Sequence, residues 1–84
     1  MIELKSIPKE PGCYLFKDKE NQIIYVGKAR NLRNRVSSYF TNKDLSPKTR
    51  VLVSHIVDAE FIIVDSETEA LLMENKLIKK HSPK

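Results

Sequence analysis

A lone cysteine, Cys13, serves the whole of this 84-residue chain. That excludes a disulfide framework and a cysteine-rich zinc site, and it suits a reducing compartment. Histidine is scarce too. His55 and His81 each lack a second ligand at metal spacing, and no serine–histidine–aspartate set can be built around either. No apolar run approaches the roughly 18 residues of a membrane span, and Glu3 and Lys5 interrupt the start where a signal peptide would be apolar. No membrane partner and a cytoplasmic location are therefore expected. Gly27-Lys28 resembles the end of a phosphate loop, but the earlier glycine at the required spacing is missing, so no nucleotide cofactor is expected. No helix carries the Arg/Asn/Gln tips of a major-groove reader. Paired acids on neighbouring strands are also lacking, which argues against a two-metal centre built on bridging carboxylates.

What is present is basic charge, unevenly placed. The net charge is +4 and the isoelectric point about 9.3. Lys28, Arg30, Arg33 and Arg35 fall in one acid-free stretch, and Lys76, Lys79, Lys80, His81 and Lys84 close the chain. Acids gather elsewhere, around Asp18–Glu20 and Asp58–Glu69. Either cluster alone reads as a solvated helix face; the two together favour a polyanion partner.

Hydrophobic spacing organises the chain as a single domain over 1–84, expected to be monomeric, with no repeats or internal linker. After an irregular or briefly helical lead-in to Pro11, strands are expected at about 13–17 and 22–26. Leu32, Val36, Tyr39 and Phe40 mark a first amphipathic helix, with Arg35 at the flank of the stripe. Leu52, Val53, Ile56 and Val57 mark a second over about 47–57. The continuous run Phe61–Val64 reads as a central strand covered on both faces. Ser66 and Glu69 form a capping box that opens a last helix to about Lys80, ahead of Pro83. The order ββααβα predicts an α/β domain: a small three-stranded antiparallel sheet flanked by helices.

Two segments hold the chemistry. Gly12-Cys13-Tyr14 and Tyr25-Val26-Gly27 each join a tyrosine to a glycine within a strand. If Asp18–Asn21 is a four-residue hairpin loop, Tyr14 lies opposite Tyr25 and both phenols share a face, with Gly12 and Gly27 permitting close approach to the backbone. Two ordinary core tyrosines are the plainer alternative. On the last helix, Ala70, Leu71, Met73, Leu77 and Ile78 form the apolar stripe, and Glu74 falls near its middle. A carboxylate there needs a cation or metal against it. Tyr14, Tyr25, Arg35 and Glu74 are expected to converge on one concave surface.

These phrases, with Arg35 ten residues after the second tyrosine and a glutamate on a late helix, resemble the GIY-YIG nuclease family over nearly the whole chain. The nearest branch is the one that incises DNA in nucleotide excision repair. Cys13 stands where the family usually has an aliphatic residue. The family also continues beyond Pro83-Lys84 into a tyrosine–asparagine pair, so the chain is expected to be an N-terminal fragment of a longer protein. The resemblance implies a metal-dependent endodeoxyribonuclease that hydrolyses a phosphodiester bond on the 3′ side of a lesion. Its implied partners are damaged double-stranded DNA and a UvrB-type loading protein. The implied catalytic set is Tyr14, Tyr25, Lys28 and Arg35, with one Mg²⁺ or Mn²⁺ on Glu74 and with Lys28, Arg30, Arg33, Lys79 and Lys80 contacting DNA. Lys28 and Arg35 are expected to lower the pKa of a tyrosine acting as base. A non-catalytic DNA-binding or partner-docking module is the alternative, although such a module has no need of Glu74 in an apolar stripe.

Overall fold

The computed structural model describes residues 3–82. A short 3₁₀ turn, Leu4–Ser6, leads into β1 (Gly12–Lys17) and β2 (Ile23–Ala29). Then come α1 (Leu32–Thr41), α2 (Pro47–His55), β3 (Asp58–Ile63) and α3 (Glu67–His81). The ββααβα order and the antiparallel three-stranded sheet are those read from the sequence.

The strand order is β2-β1-β3, so β1 is central and β3 is an edge, not the central strand expected from its apolar run. The run has another cause. Phe61 packs into the core on one face, Ile62 into the core on the other, and Ile63 is left 54% exposed. An edge strand covered by helices on both faces carries the same apolar signature as a central one.

Strand alternation divides the domain into two cores. Tyr14 and Phe16 point to a face covered by α1, where they meet Ile7, Leu32, Val36 and Tyr39; Val53 and Ile56 join from the α2 region. Cys13, Leu15 and Val26 point to the opposite face, under Leu77 and Met73 of α3. The α3 stripe is narrower than its wheel implied: Ala70 and Leu77 are buried, while Leu71 and Ile78 are 46% and 42% exposed. α2 stops at His55, and Val57 already donates its N–H to the Lys17 carbonyl.

Each helix starts on a polar cap. Asn31, Ser46 and Ser66 accept from the N–H groups of Asn34, Thr49 and Glu69, satisfying donors the first turn would otherwise orphan. The lead-in adds to this at α1, where Leu32 and Arg33 donate their N–H groups to the Glu10 and Pro8 carbonyls.

Candidate active site

The hairpin that sets the site differs from its expected register. Tyr14 lies opposite Gly27, and Phe16 opposite Tyr25. Two local features account for the two-residue shift. Asp18 and Gln22 close a three-residue loop in which Asn21 takes a left-handed φ of 63° and the Asp18 carboxylate accepts from the N–H groups of Glu20 and Gln22. Pairing then slips by one between Phe16 and Lys17, where Ile24 is the extra residue of a bulge. Because the total shift is two, Tyr14 and Tyr25 still share the α1 face, with ring centroids 6.2 Å apart.

Both glycines permit a close approach, and the groups that approach belong to the protein itself. Neither has positive φ. A Cβ on Gly27 would lie 2.3 Å from Tyr14 Cζ and 2.4 Å from its hydroxyl, so the Tyr14 ring lies across the bare backbone of β2. A Cβ on Gly12 would lie 2.1 Å from the Ile62 carbonyl oxygen of β3.

Tyr39, read from the sequence only as a core residue, joins the phenols. Its hydroxyl is 2.9 Å from that of Tyr14 in a buried hydrogen bond, and the Arg35 guanidinium lies over its ring at 5.5 Å. Helical spacing revealed its burial but not the destination of its hydroxyl. Burial raises the pKa of Tyr14, against the lowering pull of the Tyr39 and Arg35 side chains. Tyr25 is raised by burial and by neighbouring Tyr39; Arg35 opposes this and Glu74 adds to it. Tyr39 is pushed up to about 12, chiefly by burial and by its bond to Tyr14. The lowering expected from Lys28 and Arg35 is thus outweighed by desolvation at both catalytic candidates. Arg35 itself is held more firmly protonated by the Tyr14 oxygen.

Glu74 does not share the tyrosines' face. It is a half-buried residue of α3, and α3 packs on the other side of the sheet. Its charge nevertheless raises the pKa of both Tyr25 and Cys13. One cleft of about 340 Å³ is lined by Lys28, Ala29 and Arg30 of the β2 end, Arg35 of α1, and Glu67 and Ala70 of α3. Residues of both faces thus meet in this cleft, but of the expected set only Lys28 and Arg35 line it; Tyr14, Tyr25 and Glu74 do not. Among the described residues Glu74 has no ion-pair partner, and no cluster of three or more acidic, histidine or cysteine side chains exists that could hold a metal. A lone hard carboxylate suits an ion that keeps most of its waters, as Mg²⁺ does.

The remaining basic candidates separate. Arg33 is half-buried. Its guanidinium donates to the Ile7 and Lys5 carbonyls at 2.8 Å each, strapping the lead-in to α1. Arg30 pairs with Glu67 at an exposed position, where such a bridge is worth little. Lys79 and Lys80 lie at the C-terminal end of α3, where His81 and Ser82 line a cleft with the hairpin loop. The Lys28–Arg35 cleft is at the helix's other end, about 20 Å away along a helix of this length. The two basic clusters thus do not form one patch.

This β2-β1-β3 sheet, with Gly12-Cys13-Tyr14 and Tyr25-Val26-Gly27 paired across its first two strands, defines a GIY-YIG domain. The sequence model of the UvrC-like GIY-YIG domain matches residues 10–84, and the chain belongs to that family. UvrABC system protein C of Methanococcus maripaludis is 57% identical over all 84 residues, and that of Symbiobacterium thermophilum 55% identical over 98% of the chain. The chain spans only 16% and 13% of those proteins. The GIY-YIG N-terminal endonuclease domain of UvrC from Thermotoga maritima, in a crystal structure with its catalytic divalent cation, magnesium, superposes with a TM-score of 0.82 at 39% identity. The match covers 95% of this chain and 86% of that one.

Proposed function

We propose that this chain is the catalytic module of a metal-dependent DNA endonuclease that makes the 3′-side incision in nucleotide excision repair. The observation that carries the reading is Glu74, a half-buried carboxylate with no ion-pair partner among the described residues, in a domain that superposes on a magnesium-bound endonuclease domain with a TM-score of 0.82. Likeness to the magnesium-bound endonuclease domain supports a single divalent cation there. Such an ion, when bound, supplies a nucleophilic water at neutral pH and a countercharge for the phosphoryl oxygens.

The chain's own residues do the rest. Tyr25 is the better placed of the two tyrosines to take the proton of the attacking water at its phenol oxygen. It is only partly buried, whereas Tyr14 is 1% exposed with its hydroxyl engaged by Tyr39. Countering the Glu74 charge removes one of the influences that raise Tyr25, and Arg35 already pulls it down. Arg35, kept protonated and steadied over the Tyr39 ring, offers a forked donor to the charge that develops at the phosphorus centre. Lys28 and Arg30, on the same cleft, hold adjoining phosphates, and Lys79 and Lys80 meet the duplex at the far end of α3. Nothing among these residues reads base sequence, so recognition of damage falls to a UvrB-type loading protein or to other parts of a longer chain.

Glu74→Gln in the longer protein, with its loading partner, damaged duplex and Mg²⁺ or Mn²⁺, is expected to abolish 3′ incision while leaving DNA affinity within about twofold. Undiminished incision would place the cation elsewhere and overturn the reading.

A further inference from the structure

A groove of about 550 Å³ lies between the hairpin and α2, and Tyr25 lines it. Its walls are Ile24 on the hairpin side and Val51 and Leu52 on α2, with Lys48 and Thr49 in the first turn of that helix and His55 and Asp18 at its margin. The groove is not filled by the core. Val51 is 59% exposed although α2 packs other side chains, Val53 among them, inward. The bulge opens this wall, since the extra residue puts Ile24 on the α1 face directly beside Tyr25.

We infer that this groove is a subsite for an unpaired nucleobase of the strand being cut, next to the phosphate handled by Tyr25 and Arg35. The inference rests on the endonuclease reading above. Three features favour a nucleotide over other occupants. The groove shares a side chain with the reaction centre, so a strand held there by its phosphate enters the groove with its next residue. Its walls are mainly apolar and its size is that of ordinary small-molecule sites, which suits the flat faces of a base. Lys48 places a cation at the rim, where the base's own phosphate would lie. Among the described residues Asp18 forms no ion pair with Lys48; one of its carboxylate oxygens accepts from the N–H groups of Glu20 and Gln22. A base drawn into such a slot leaves the helical stack, so the subsite favours distorted or partly unwound DNA over regular duplex.

The chain contains no tryptophan, so Val51→Trp gives it one fluorophore at an exposed position of the groove wall. Titrations in EDTA, where no strand is cut, compare a short oligothymidylate with an abasic strand of the same length. The subsite predicts saturable quenching of the introduced indole by the thymidylate and not by the abasic strand, with thymidylate binding about threefold to tenfold tighter than to the wild-type chain. Val51→Gln, neutral and helix-compatible, is expected to weaken thymidylate binding several-fold while abasic binding stays the same. If both strands bind alike and both variants leave that equality intact, the subsite is refuted while the endonuclease reading stands. If neither strand binds the wild-type chain, the DNA reading falls with it. If Val51→Gln instead weakens only the affinity for the loading protein, the groove is a protein dock and the inference is wrong.

Discussion

Adding one methyl group at Gly27 probes the centre of the site. Its Cβ would meet Tyr14 Cζ, Oη and Cε2 at 2.3, 2.4 and 2.8 Å, all closer than packed atoms tolerate. The ring has nowhere easy to go, since it is 1% exposed, packed against Phe16 and Tyr25, and tied to the Tyr39 hydroxyl. Overpacking a core of this kind costs about 1–3 kcal/mol, and losing the buried phenol–phenol bond adds about 1. A destabilisation of about 2–4 kcal/mol follows for Gly27→Ala, lowering Tm by roughly 8–32 °C in a domain this small. Urea or thermal unfolding followed by circular dichroism measures it. The decisive comparison is the same substitution made beside Tyr14→Leu. Gly27 has no positive φ, so the backbone gives alanine no penalty there. With the ring gone, Gly27→Ala should cost less than about 0.5 kcal/mol or be slightly stabilising through the unfolded chain. Equal costs in the two backgrounds would refute the claim that the glycine exists to admit the ring.

Two further outcomes are expected. The Tyr39 hydroxyl is raised to about 12 in the folded chain against about 10 unfolded, so its stabilising contribution is complete below pH 10 and is lost as pH rises toward 12. Denaturant midpoints should fall across that window, with Tyr14 and Tyr25, also raised, adding to the fall, and Tyr39→Phe should make it shallower by up to about 2.7 kcal/mol. Arg33→Ala should cost about 1–2 kcal/mol by removing two charge-assisted bonds to the lead-in, yet change DNA affinity little, whereas Lys28→Ala should weaken binding without a loss of stability. Paired unfolding curves and DNA titrations separate the two effects.

How far the sequence revealed this arrangement depends on whether a residue's role was local. Tyr14 and Tyr25 could be placed on one face because a two-residue error in register leaves the face unchanged. The register itself was hidden, since neither the left-handed Asn21 nor the bulge at Ile24 carries a residue type that demands it. Glu74 stood out because periodicity exposes a carboxylate in an apolar stripe, but periodicity cannot tell which side of a sheet a helix covers. The placement of α3 opposite the tyrosines, with a cleft at the end of β2 lined from both faces, is a tertiary fact. Arg33 looked like its basic neighbours until the lead-in's carbonyls appeared beside it, at a separation in sequence that no local pattern spans. Tyr39 was legible as buried and illegible as a partner of Tyr14, for its hydroxyl leaves no trace in hydrophobic spacing.

The central claim is that Glu74, on the α3 face of the sheet, holds the cation within reach of Tyr25. Mn²⁺ tests it directly, because it broadens the NMR signals of nuclei near where it binds. In a ¹⁵N-labelled chain, substoichiometric Mn²⁺ should first erase amide signals around Glu74, Cys13 and Tyr25, and Mg²⁺ should compete it away. Glu74→Gln should restore those signals, while Tyr25→Phe, which keeps the carboxylate, should not. Broadening centred on another part of the chain, or unchanged by Glu74→Gln, would contradict the assignment.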